Sequence, residues 1–175
     1  WWSIHRREAG RKTRGSLPEL LARSAESIFW MARYIERVEN LARVIDVSLA
    51  AAGGSSHVEE WRTVLAINGD IARFQALGRP ATGPEIVHFY VLADDNPTSI
   101  RSGVRAAFEN ARTLRPLVSA ELWSQINVLQ KWLRDQTGAA LAPWELPRLL
   151  NTVKQGCQAH TGIAEGSFYR DERSE

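Results

Sequence analysis

At 175 residues, 44% apolar and 24% charged, the chain has the composition of an ordinary globular protein and the length of one domain. A compact unit of that size buries roughly 68–70% of its unfolded surface. No stretch nears the ~20 consecutive apolar residues of a membrane span, which excludes a helical membrane protein.

The formal charge of +2 conceals an asymmetry: Arg6, Arg7, Arg11, Lys12 and Arg14 against Glu8 give residues 1–16 a net +4, leaving −2 for the rest. With Gly10, Gly15 and no periodicity, residues 1–16 read as a basic linker or tail. Contact with phosphates or an acidic partner is the other reading. No aromatic–basic interleaving or zinc-finger spacing argues for nucleic acid. Trp1-Trp2-Ser3 lacks an initiator Met and the order of a signal peptide, and reads as a start inside a longer natural chain. The one cysteine, Cys157, rules out an internal disulfide, suits a reducing compartment and leads to a cytoplasmic expectation.

Ser16 and Glu19 have capping-box spacing with Pro18 in the first turn, so a first helix is predicted from about Leu17 to about Ala52. Leu21, Ala25, Ile28, Ala32 and Ile35 trace its apolar stripe, widened by Phe29, Trp30 and Tyr34. Gly53-Gly54-Ser55-Ser56 ends it. A second helix is expected from about Val58 to about Leu77, with Val64, Ile67, Ile71 and Phe74 as its better stripe and Gly69 weakening its centre. Residues 85–92 resemble a strand in composition, but Pro84 and helical neighbours favour a short helix. Asn96 is expected to cap the next helix with Pro97 at its first position and Ser99 assisting. Ile100, Val104, Ala107 or Phe108, Ala111 and Leu114 give its spacing, and Pro116 breaks it. Ser119 restarts a helix carrying Leu122, Ile126, Leu129 and Leu133, closed by Gly138. A last helix is placed at 144–158, and residues from about Gly162 onward look polar and poorly periodic. The result is an all-α antiparallel bundle of about five or six helices over residues 17–165, with residues 166–175 a polar C-terminal tail. The tryptophans past residue 2 are expected to be core or interface anchors.

Charge lies close to the apolar surface of the first helix. At 100° per residue Glu39 sits about 40° from Ile35, and Asp46 follows on nearly the same line. Glu39 precedes Arg43 in favourable i,i+4 order, while Glu36 can meet Arg33 or Asn40 near Arg37. These groups form either a solvated salt-bridge lacework or a partly buried network beneath a neighbouring helix. A di-metal carboxylate bundle needs paired Glu-x-x-His elements, which the chain lacks, so neither metal nor cofactor is expected. Gly-x-Ser-x-Gly, Walker and dinucleotide fingerprints are also missing. Cys157 and His160 share a helical spacing, yet an ordinary buried thiol explains the former better than a catalytic pair.

The series Ala25-Glu26, Phe29-Trp30, Arg33-Tyr34-Ile35-Glu36-Arg37, Glu39-Asn40 and Ala42-Arg43 resembles the alpha-E domain family, bacterial helical domains of unknown molecular function with a Glu-Arg motif, here Glu36-Arg37. Residues 95–100, Glu109-Asn110-Ala111-Arg112, Glu121-Leu122-Trp123 and Asn127 continue the likeness, which spans about Leu17 to Glu165. Phe108 stands where the family pattern has an arginine before Glu109. The resemblance further implies that the chain corresponds to the family's N-terminal half, whose seam self-association would cover. It also implies a bacterial setting beside an ATP-grasp protein and a transglutaminase-like protein.

Two functions follow as expectations. One is a noncatalytic interaction or scaffold domain supporting an ATP-grasp peptide- or amide-ligase system. The other is an accessory domain that helps form a peptide-ligase substrate site. No catalytic residue is assigned. The candidate docking or substrate-binding residues are Arg33, Glu36, Arg37, Glu39, Asn40, Arg43, Glu109, Asn110 and Arg112, since arginines hold carboxylates or phosphates bidentately and a glutamate orients an amine or arginine.

Overall fold

The computed structural model describes residues 17–51 and 58–171, and every regular element among them is helical. The expected capping box at Ser16, the Gly53–Ser56 stop and the basic segment 1–16 lie outside the described residues. Among the described residues there are seven α-helices where about five or six were expected: α1 (Leu17–Ala51), α2 (Val58–Ile67), α3 (Ile71–Ala76), α4 (Gly83–Val91), α5 (Ile100–Thr113), α6 (Ala120–Arg134) and α7 (Leu146–Asp171). A single 3-10 turn (Gly138–Leu141) links the last two.

Four of these helices form a ring. α1 packs on α5 and α7, and α6 packs on the same two. Arg101 Nη2 at the start of α5 donates to the Gln136 carbonyl at 2.5 Å, and Phe108 stacks on Trp123 with ring centroids 5.3 Å apart, so α5 and α6 run antiparallel. Lys154 meets Asp46 at 2.6 Å while Gln158 donates to Glu39 at 3.1 Å, so α7 runs back along α1. The core fills the ring with Ile35, Ile45, Ile100, Ile126, Leu133 and Leu150, among others. α2, α3 and α4 form a cap over one end, centred on Trp61, Phe74, Phe89 and Tyr90.

The differences from the sequence reading have local causes. The single second helix is two, because Gly69 adopts φ +69°, a left-handed conformation that ends α2, and Asn68 turns its side chain onto the Val64 carbonyl at 2.8 Å. Ile67 and Ile71 are therefore exposed, and the buried stripe is Trp61, Val64 and Leu65, with Phe74 on the separate α3. Ser99, not Asn96, caps α5, its hydroxyl accepting from the Ser102 N–H at 3.1 Å. Asn96 is fully buried instead, donating to the Phe89 carbonyl at 2.9 Å and accepting from the Thr98 N–H at 3.0 Å. α6 ends at Arg134 with Asp135 as its cap, four residues before Gly138. α7 starts at Leu146, tolerates Pro147 in its first turn and runs past the expected end at residue 158, so 166–171 are helical backbone. Trp61 is buried, and Trp123 and Trp132 pack on the core, but Trp30 and Trp144 are exposed.

Gly103 is buried between α5 and α1. A Cβ there would lie 2.5 Å from Val38 Cγ2, and Val38 is itself core. Gly103→Val therefore overpacks the α1–α5 seam and is expected to cost about 1–3 kcal/mol in urea unfolding. Trimming the partner with Val38→Ala should recover part of that loss; strict additivity of the two changes would show that the contact does not limit the approach.

Candidate functional site

At 1.5 Å per residue the 35-residue α1 is about 50 Å long, whereas the 14 residues of α5 and 15 of α6 reach little beyond 20 Å. The apolar stripe of α1 outruns its neighbours as a result. Met31, Ile35, Val38, Leu41, Ala42 and Ile45 are buried, but Leu21 is 62% and Ile28 40% exposed, although all follow the same helical spacing. Where α1 passes the α5–α6 connection and the later turns of α7, a groove of about 570 Å³ opens. Ile28, Met31, Ala32 and Ile35 form one wall, Leu117, Val118 and Leu122 another, and His160 and Ala164 a third. Glu36, Glu39 and Glu165 bring charge to its lining, which includes no lysine or arginine among the described residues.

The nine sequence candidates fall into separate sets. Arg33 pairs with Glu36 one turn along α1. Arg43 Nη2 meets Glu39 Oε1 at 2.6 Å, as the i,i+4 order predicts. Arg37 and Asn40 are exposed on the same helix. On α5, Arg112 pairs with Glu109 at 2.7 Å, and Asn110 turns its amide onto the Ala106 carbonyl at 2.9 Å. Every one of these pairs is internal to one helix, so the α1 and α5 sets do not join through them. Only Glu36 and Glu39 reach the groove.

Of the three residues that the partly buried reading puts under a neighbouring helix, Arg43 is exposed, and Glu39 and Asp46 are partly covered. Both face α7, Glu39 through Gln158 and Asp46 through Lys154, and the Glu39 side chain is only 19% exposed. The two contacts tie α1 to α7 at points two turns apart.

Outside this seam, α1 carries a different surface. Phe29 and Trp30 are exposed and meet edge to face with centroids 5.3 Å apart, and Trp30 also lies 6.0 Å from Tyr34. By helical spacing Trp30, Arg33 and Arg37 lie on the flank opposite Ile35.

His160 is the residue that sequence reasoning undervalued. Leu146, Leu150, Val153, Cys157 and His160 recur at steps of four and three, and all are buried, so the stripe of α7 continues into the groove. Its Nε2 is buried without a hydrogen-bond partner, and burial pushes the imidazole down to about 4. Cys157 is fully buried; burial, with the Glu39 charge adding to it, pushes the thiol up to about 12. That is an inert thiol, the opposite of an activated nucleophile. Among the described residues no group of three or more His, Cys, Asp or Glu side chains is arranged to hold a metal ion, and no described helix is long and apolar enough to cross a membrane.

No curated protein and no solved structure matches the chain. Residues 20–175 match the model of the Alpha-E family, described as a predicted alpha-helical domain with a conserved ER motif. The match takes in the whole helical ring, from the overhang of α1 to the end of α7, with Glu36-Arg37 on the groove-bearing stretch of α1. The chain belongs to the Alpha-E family.

Proposed function

We propose that this domain is a noncatalytic helical docking module supporting an ATP-grasp peptide- or amide-ligase system, with an ATP-grasp or transglutaminase-like protein as its partner. The observation that carries the docking role is the surface of α1 bearing Phe29 and Trp30, 55% and 41% exposed and in mutual edge contact. Tryptophan and arginine are the residue types that dominate interface energetics, and here Trp30 shares a flank with Arg33 and Arg37. Large aromatics held in water on a helix otherwise made rigid by its ring contacts fit a prepared docking face better than a core position. The partner class rests on the family resemblance of residues 25–43.

The test is co-purification with an ATP-grasp protein. Trp30→Ala combined with Arg37→Glu is expected to weaken association at least tenfold while leaving the thermal midpoint within a degree or two, since both side chains are exposed. Unchanged association and unchanged ligase activity in the folded double variant would remove this surface from the function.

A further inference from the structure

The groove between α1, the α5–α6 connection and α7 has the volume of a small-molecule site, within the ~300–1,000 Å³ usual for ligand pockets. Its walls are apolar, and acceptors predominate among its polar groups. The Thr161 hydroxyl spends its proton on the Cys157 carbonyl at 3.1 Å, while the Ser119 hydroxyl accepts from the Leu122 N–H at 3.1 Å and keeps its own O–H to donate. The remaining acceptors are the Glu165 carboxylate, the lone pairs that Arg33 leaves on Glu36 and that Arg43 and Gln158 leave on Glu39, and His160 Nε2, which is buried and unpartnered. His160 is 3% exposed, so this nitrogen is withheld from bulk water as well as from the protein. An unpaired buried polar atom is costly to keep, and a ligand that satisfies it recovers that cost.

We infer that the groove binds a small apolar amine, a hydrocarbon body carrying one primary ammonium group. An ammonium has three donors and no acceptor. It therefore complements a site offering carboxylate oxygens and an imidazole nitrogen, which accepts when the ring proton is on Nδ1. The hydrocarbon body covers Ile28, Met31, Ile35 and Leu122. An anionic ligand of the same shape meets the Glu165 carboxylate, with Glu36 and Glu39 already paired to Arg33 and Arg43, and no lysine or arginine among the described lining residues. The site lies on the opposite flank of α1 from Trp30 and Arg37, so it stands or falls independently of the docking surface.

Titrating the whole chain, labelled with nitrogen-15 at histidine, with n-octylamine, n-octanol and octanoate at neutral pH tests the assignment. The amine should saturate, bind at least tenfold more tightly than octanoate, and move the His160 Nε2 resonance while leaving His88 unmoved. His160→Phe should reduce octylamine affinity about tenfold and leave octanol binding in place. Should that variant not fold, Glu36→Gln with Glu165→Gln alters only exposed side chains and should lower the preference for amine over octanol at least threefold. Equal affinity for octanoate and octylamine, a static His160 resonance, absence of saturable amine binding, or an amine preference untouched by the glutamine variants would each overturn the inference.

Discussion

Asp70→Ala should destabilise the folded chain by about 2–4 kcal/mol in urea unfolding, with the damage centred on the cap and not on the four-helix ring. Asp70 is 4% exposed at the turn between α2 and α3, and its carboxylate does not cap α3. It accepts instead from the Tyr90 hydroxyl at 3.2 Å, with the Thr98 hydroxyl at 3.4 Å and Arg73 Nη1 at 3.0 Å. Burial, reinforced by the Asp70 charge, pushes the Tyr90 phenol well above its ordinary range, so that hydroxyl stays protonated and donating. The size of the effect is set by which partners can return to water. Arg73 is 46% exposed and regains solvent, so the penalty for stranding a buried charge does not apply in full. Tyr90 is 1% exposed and cannot be hydrated, and a hydrogen bond to a charged group carries about 1.5–3 kcal/mol. The cycle with Tyr90→Phe isolates this term: Asp70→Ala should cost at least 1 kcal/mol less in that background. Equal costs in both backgrounds would mean that Asp70 acts through Arg73 and Thr98 alone.

The ring was readable because its helices obey one rule at a time. Leu122, Ile126, Leu129 and Leu133 on α6 and Ile100, Val104, Ala107 and Ala111 on α5 recur at helical spacing, and all are buried. Glu39 and Asp46 could be placed beside the apolar stripe of α1 because angular position on a helix is set by counting. The cap was less readable. Gly69 ends α2 through a single positive φ, and Ile67 and Ile71 fit a helical stripe that tertiary structure never forms. Asn96 looks like a cap in sequence, and its bond from the Thr98 N–H is a local Asx turn, but its amide is drawn inward to the Phe89 carbonyl seven residues back, a contact no local pattern encodes. Of the candidate site, the Arg33–Glu36, Arg43–Glu39 and Arg112–Glu109 pairings were local and therefore visible. The groove was not, because it arises from a mismatch in length between α1 and the shorter α5 and α6. The stripe of Leu21, Ile28 and Ile35 is continuous in sequence, and only the assembled ring decides where its cover stops.

His160 should make the protein acid-labile. Its imidazole is pushed from 6.5 down to about 4 by burial alone. Between those two values the unfolded chain binds a proton at this position that the folded chain does not, so stability rises with pH across the window. The contribution is fully present above about pH 6.5 and is lost as pH falls to about 4. A shift of that size corresponds to about 3 kcal/mol, at roughly 1.4 kcal/mol per unit, and at 3% exposure little solvent screening reduces it. The charged groups lining the groove around the ring are Glu36 and Glu39 from α1 and Glu165 from α7, and protonating them alters stability in both the natural chain and a His160→Phe variant. The difference between the two urea-derived stability curves therefore isolates the imidazole: the natural chain should fall by about 3 kcal/mol more between neutral pH and pH 4. Parallel curves would mean that the protonated ring is accommodated beside those carboxylates, and that the unpartnered nitrogen is not a standing cost of the fold. A ligand donating a hydrogen bond to Nε2 must compete with that same proton, so occupancy of the groove should steepen the curve further.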